Sequence, residues 1–124
     1  MAAIIVSSGP QQGLFLPLGR KTSVIGRDEA ATLQIEDEQV SRKHLQIRFD
    51  AGTTTYTAFD MRSSNGTLLN GRELSGDTQL KDGDEITLGK STVLLFTTEV
   101  PADKPNAMEV LKKAGERRRN TLVK

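Results

Sequence analysis

Short apolar or alternating stretches follow one another along the first hundred residues, punctuated roughly every eight to twelve positions by Gly, Asp or Asn, the rhythm of a sandwich or barrel. Nine stretches read as strands, at 3–6, 13–17, 22–26, 33–35, 45–50, 54–59, 67–69, 84–88 and 92–98, within an expected total of about ten or eleven. Leu45, Ile47 and Phe49 alternate with Gln46, Arg48 and Asp50, so one face of that strand is dry and the other wet. Asp50-Ala51-Gly52 and Lys81-Asp82-Gly83-Asp84 carry turn chemistry, because glycine accepts positive φ and aspartate caps its own turn. Both read as hairpin corners. The expected fold class is all-β.

The pattern changes after Val100-Pro101. Asn106 and Glu109 form a weak capping box, and Met108, Leu111 and Ala114 make a narrow apolar stripe. Residues 107–119 therefore read either as a short helix that persists only when docked or as disordered chain. The division is a domain at 1–100 and a basic tail at 101–124. Charge follows the same division: residues 1–103 carry ten Lys or Arg against fourteen Asp or Glu, and residues 104–124 carry seven against two. An acidic body with a basic tail is not the distribution of a nucleic-acid-binding groove. A chain of 124 residues can bury a modest core as one domain without staples. The absence of cysteine excludes a disulfide framework and a thiolate metal site and points to a reducing compartment. No apolar run of about 18 residues and no basic-flanked leader are present, so no membrane role and a cytoplasmic location are expected.

Candidate chemistry gathers in a few turns. Gly26-Arg27, Ser41-Arg42-Lys43-His44, Ser63-Ser64-Asn65-Gly66-Thr67 and Asn70-Gly71 set cationic, hydroxyl and amide donors at separate corners. Arginine offers a planar fork of donors to phosphate oxygens, and Ser, Asn and turn amides complete the shell of a dianion. Taken singly, each has a plainer reading: Arg27 as a surface arginine, Ser41 as a helix N-cap, Asn65-Gly66 as a type I′ hairpin turn. No nucleophile stands with a base; Asp82, Asp84 and Glu85 belong to an ordinary turn pattern, and the lone His44 cannot assemble a typical zinc site. No enzyme, metal or cofactor is expected.

The ordered set Gly-Arg, then Ser-Arg-x-His with its serine fourteen residues after that arginine, then Ser-x-Asn-Gly-Thr and Asn-Gly resembles the forkhead-associated (FHA) domain over roughly residues 3–100. The resemblance implies a sandwich of about eleven strands in two twisted sheets, with recognition loops at one end. It further implies a phosphothreonine-peptide-binding signalling adaptor whose partner is a Ser/Thr kinase or its substrate. By the same resemblance Arg27 and Ser41 contact the phosphate, Arg42 braces the ligand, and Ser64 and Asn65 contact phosphate and peptide backbone. Gly26, His44, Gly66, Asn70 and Gly71 support the loops. Asn65 would donate to a ligand carbonyl and accept from a ligand amide at once. Lys43 and Arg62 would flank the pocket, and Asp28, Glu29, Glu36, Asp37 and Glu38 would favour basic peptide flanks. The expected state is a monomer. Two alternatives rest on the tail: an interaction with nucleic acid or an acidic partner through its basic residues, or self-association once Thr121, which follows Arg117-Arg118-Arg119-Asn120, is phosphorylated.

Overall fold

The computed structural model describes residues 2–99. The tail, with Asn106, Glu109 and Thr121, lies outside them. Eleven strands and no helix are found among the described residues: β1 (Ala3–Ser8), β2 (Phe15–Pro17), β3 (Ser23–Gly26), β4 (Leu33–Gln34), β5 (Leu45–Asp50), β6 (Thr55–Asp60), β7 (Thr67–Leu69), β8 (Arg72–Glu73), β9 (Thr78–Gln79), β10 (Glu85–Leu88) and β11 (Thr92–Thr97). They form a six-stranded sheet in the order β2-β1-β11-β10-β7-β8 and a five-stranded sheet in the order β4-β3-β5-β6-β9. The all-β, eleven-strand expectation holds.

Between the sheets lies an aliphatic core. Ile4, Val6, Ile86, Leu88, Leu94 and Phe96 enter it from the six-stranded sheet, and Ile25, Leu45, Ile47 and Ala58 from the five-stranded one. Burying such side chains contributes about 1.5–3 kcal/mol each, which is how a cysteine-free chain of this size holds its shape. The dry face of β5 closes at Ile47. Phe49 is only half-buried, leaning on Tyr56 at 5.1 Å between ring centroids with the Arg20 guanidinium 6.0 Å above it.

Of three turns read as hairpin corners, one is a hairpin and two are not. Asp50-Ala51-Gly52 does close the β5–β6 hairpin, with Asp50 Oδ1 accepting from the Gly52 amide at 2.9 Å. Lys81–Asp84 instead carries the chain from β9 in one sheet to β10 in the other, held by the Lys81 amide donating to Asp84 Oδ2 at 2.8 Å. Asn65-Gly66 likewise joins β6 to β7 across the sheets, so it is no hairpin turn, and Ser41 caps no helix.

Register places the chemistry. Ile25, Leu45 and Asp60 stand side by side across β3, β5 and β6. The residues just beyond them, Gly26 and Arg27 at and after the end of β3, His44 just before β5 and Met61 just after β6, therefore emerge at one end of the sheet. β7 starts there as well, once the 61–66 loop has crossed.

Candidate functional site

Gly26 sets how closely two segments run. The Arg27 amide donates to Ser41 O at 3.0 Å, the Asp28 amide to Arg42 O at 3.1 Å, and the His44 amide to Ile25 O at 3.0 Å. A Cβ on Gly26 would sit 2.2 Å from Arg42 O, so only glycine allows this approach. Arg27 then turns back, its Nε donating to Val40 O at 3.0 Å. One nitrogen fixes the plane of the guanidinium, and the remaining donors stay with the exposed end of the side chain.

His44 is fully buried and joins the two loops. Its Nδ1 accepts the Ser41 amide at 2.9 Å, while Nε2 lies 2.8 Å from Gly66 O. An amide must find an acceptor and a carbonyl must find a donor, so the ring is the neutral tautomer with its proton on Nε2. Burial pushes its pKa below the usual histidine value, against the upward pull of the Gly66 carbonyl and the Asp60 carboxylate. The 4.0 Å approach of Asp60 to Nε2 is therefore not an ion pair.

Asp60 orders the second loop. Its Oδ1 accepts the Ser63 amide at 2.7 Å, and its Oδ2 accepts the Thr67 hydroxyl at 2.6 Å and the Ser63 hydroxyl as well. Burial acts to raise the Asp60 carboxyl, but these donors outweigh it and hold the group below its ordinary range. Ser64 then docks on the first loop, its amide donating to Ser41 Oγ at 2.9 Å. Asp37 does for the 37–40 turn what Asp60 does here: buried, it accepts the Gln39 amide at 2.9 Å, Thr92 Oγ1 at 2.7 Å and Ser91 Oγ at 3.0 Å. The Gln39 amide is the chief cause of its lowered pKa, followed by Thr92, with burial opposing and Ser91 assisting. Asp37 is thus removed from the acidic rim expected of it, whereas Glu29, Glu36 and Glu38 remain exposed.

Arg27, Ser41, Arg42, Ser64 and Asn65 line one cleft of about 210 Å³ with Glu38, Gln39 and Val40. All five residues expected to meet a ligand are there. Gln39, which sequence reasoning missed, holds Asn65: the Asn65 Nδ2 donates to Gln39 O at 2.9 Å and to Gln39 Oε1 at 3.2 Å. Asn65 Nδ2 is thus engaged between the loops, and only its Oδ1 lacks a partner among the described residues. Arg42 reaches outward, its side chain 74% exposed and 3.9 Å from Asp28. Lys43 and Arg62 do not line the cleft.

Asn70 and Gly71 do not brace it either. Their φ values of 51° and 83° make the two-residue turn between β7 and β8, at the far end of β7 from Gly66. Asn70 Nδ2 donates to Asp84 Oδ1 at 2.9 Å, and its Oδ1 accepts the Glu85 amide at 2.9 Å. That corner ties β7–β8 to the start of β10. Larger hollows of about 540 Å³ beside Arg72 and Leu74 and about 590 Å³ beside Arg48 and Asp77 collect no comparable set of donors. No cluster of three or more His, Cys, Asp or Glu suited to a metal occurs among the described residues.

Comparison with known proteins adds to this geometry. The FHA domain family model matches residues 23–89. The chain is 32% identical over 96 residues to the glycogen accumulation regulator GarA of Mycolicibacterium smegmatis, covering 77% of this chain and 59% of that protein. It spans about three fifths of the length of curated relatives of this kind. A structure from an analysis of phosphothreonine-dependent FHA domain interactions superposes with a TM-score of 0.69 at 30% identity, covering 81% of this chain and 98% of the other. The FHA domain of FhaA, solved in complex with the intracellular domain of Rv3910, gives a TM-score of 0.68 at 31% identity, covering 77% and 99%.

Proposed function

The chain belongs to the FHA domain family, and from that membership we propose that its body, residues 1–100, is a phosphothreonine-peptide-binding adaptor reading partners marked by a Ser/Thr kinase. The observation that carries this reading is the state of Ser41. Its carbonyl receives the Arg27 amide, its own amide is held by His44, and its Oγ already accepts the Ser64 amide. The backbone around the hydroxyl is fixed from three sides, and the hydroxyl proton is left to donate. It does so beside the Arg27 guanidinium, in a cleft that Ser64 and Arg42 share.

A phosphothreonine ester carries roughly −1.5 to −2 charges and three strong acceptor oxygens. Arg27 opposes that charge with its terminal nitrogens, Ser41 and Ser64 donate hydroxyl hydrogen bonds, and Arg42 exchanges its long contact with Asp28 for the phosphate. Asn65 Oδ1 accepts an amide of the peptide backbone. Its Nδ2 engages a peptide carbonyl only by leaving Gln39, so the second half of that grip is an exchange and not a gain. Affinity is modest for that reason, and because the cleft is small and most of its lining residues are exposed to solvent.

The chemistry is recognition, not turnover. No residue of the cleft is a nucleophile held by a base, since His44 spends both ring nitrogens on backbone groups. The partner class is a phosphorylated kinase or kinase substrate, a reading supported by the phosphothreonine-dependent interactions studied for one structural relative and the complex solved for another. No described helix is long and apolar enough to cross a membrane, and the reading is of a cytoplasmic protein with residues 101–124 as a separate basic tail. Calorimetry with one peptide in its phosphothreonine and unphosphorylated forms tests the proposal. Binding of the first alone, abolished by phosphatase, is expected; equal binding of both forms overturns it.

A further inference from the structure

The cleft rests on a third segment that does not line it. Leu88, the last residue of β10, stands opposite Thr92 on β11 and Thr67 on β7. The turn Gly89-Lys90-Ser91 between β10 and β11 therefore sits beside the point where the 61–66 loop enters β7. It meets both cleft loops. The Gly89 amide donates a long hydrogen bond of 3.4 Å to Gly66 O, the carbonyl that His44 Nε2 also reaches at 2.8 Å. On its other side Gly89 lies against the backbone of Gln39, so that an added Cβ would come 2.7 Å from Gln39 O and 2.8 Å from Gln39 Cβ. Its φ of 64° calls for glycine as well. The Ser91 and Thr92 hydroxyls then donate to Asp37 Oδ2, and Asp37 Oδ1 accepts the Gln39 amide.

We propose that Gly89 and Thr92 are positioning residues, through which the β10–β11 turn sets the 37–40 turn and with it the aim of Asn65 and Arg27. The inference rests on the phosphothreonine-reading function and names what aims two of its side chains. Gln39 O holds Asn65 Nδ2 at 2.9 Å, and the next carbonyl, Val40 O, holds Arg27 Nε at 3.0 Å. Two acceptors one peptide unit apart thus fix a carboxamide from one loop and a guanidinium from another. That unit is pinned from two directions. The charge-assisted bonds from Thr92 and Ser91 to Asp37 draw the 37–40 turn toward β11, and the close contact with Gly89 sets how near Gln39 can come. Neither Gly89 nor Thr92 lines the cleft, and Thr92 is fully buried, so a ligand meets their effect only through the residues they hold.

Gly89→Ala is compared with Gly19→Ala. Gly19 has a similar φ of 59° but nothing within 4 Å of an added Cβ, and it precedes β3 at the end away from the cleft. Backbone strain is alike in the two variants, while the collision with Gln39 belongs to one. In the isotope-labelled full chain without ligand, Gly89→Ala should shift the Asn65 side-chain amide pair and the Arg27 Nε–H signal and speed their exchange with water several-fold; Gly19→Ala should leave them in place. Phosphothreonine-peptide affinity should fall about three- to tenfold in Gly89→Ala and stay within about 1.5-fold in Gly19→Ala, the scale set by one misaimed hydrogen bond. Thr92→Val keeps the shape, removes the hydroxyl and introduces no clash; it should shift the same signals, and Thr92→Ser should restore them. Signals unmoved by Gly89→Ala and Thr92→Val, moved equally by Gly19→Ala, or moved as far by Thr92→Ser as by Thr92→Val overturn the proposal. Given wild-type binding, so does equal affinity in the two glycine variants. A wild-type chain that ignores the phosphopeptide overturns the function reading instead, since the ligand-free Asn65 and Arg27 signals decide the positioning role by themselves.

Discussion

Two corners of the molecule are spelled with the same dipeptide and do opposite things. At Asn70-Gly71 the side chain is exhausted: Nδ2 goes to Asp84, Oδ1 to the Glu85 amide, and the backbone amide to Glu85 O. At Asn65-Gly66 the loop is held by others, through the Ser64 amide on Ser41 and the Gly66 carbonyl on His44, and Asn65 Oδ1 is left over. The first Asn builds a turn and the second is presented by one. The proposed recognition site thus differs from the structural corner less in its residue types than in hydrogen-bonding capacity left unspent on a backbone that other residues fix.

That contrast breaks most sharply at Arg27. Arg27→Ala removes the charge and the charged hydrogen bonds but touches only one internal contact, so phosphopeptide affinity should fall about tenfold to a hundredfold. The melting temperature should move by less than about 3 °C; calorimetry and a thermal scan read the two. His44→Ala strikes both loops at once. It leaves two backbone groups and a cavity, and should cost about 2–4 kcal/mol of stability in urea titration, with weakened binding alongside. Asn70→Ala should cost about 1–2 kcal/mol of stability while phosphopeptide affinity stays unchanged. Affinity lost in parallel with stability there would erase the distinction between the corners.

Acid offers a finer test. The unfolded imidazole titrates near 6.5, and the folded one lies lower because burial disfavours its charged form. His44 therefore contributes its full share of stability above about pH 6.5, and loses it as the pH falls through the folded value. Asp37 and Asp60 are also depressed, so their contributions persist until the pH falls below about 4 and do not blur that window. The urea midpoint of the unliganded protein should drop between pH 7 and pH 5, and the slope should flatten in His44→Gln. The smallest effect is expected at Arg42→Ala, less than about threefold in affinity, because a largely exposed side chain with a long ionic contact is screened by salt.

The aliphatic strands were legible because burial writes itself into alternation: β5 could be read from Leu45, Ile47 and their neighbours alone. Arg72–Glu73 and Thr78–Gln79 carry no buried apolar residue, so nothing in β8 or β9 announces a strand. The cleft residues were legible through an ordered motif, but their internal partners were not. Asp37 and Glu38 look alike in sequence, and only the turn decides which is buried under Thr92 and which faces solvent. The hold of Gln39 on Asn65 runs chiefly through a backbone carbonyl, which any residue could supply.

That hold has a consequence for timing. On the proposed reading, a departing peptide would hand the Asn65 amide back to Gln39 within the same loop pair, so no bare donor would wait for water to reorganise. Arrival and release would become a relay between an internal occupant and an external one, a device suited to a mark that one enzyme writes and another erases.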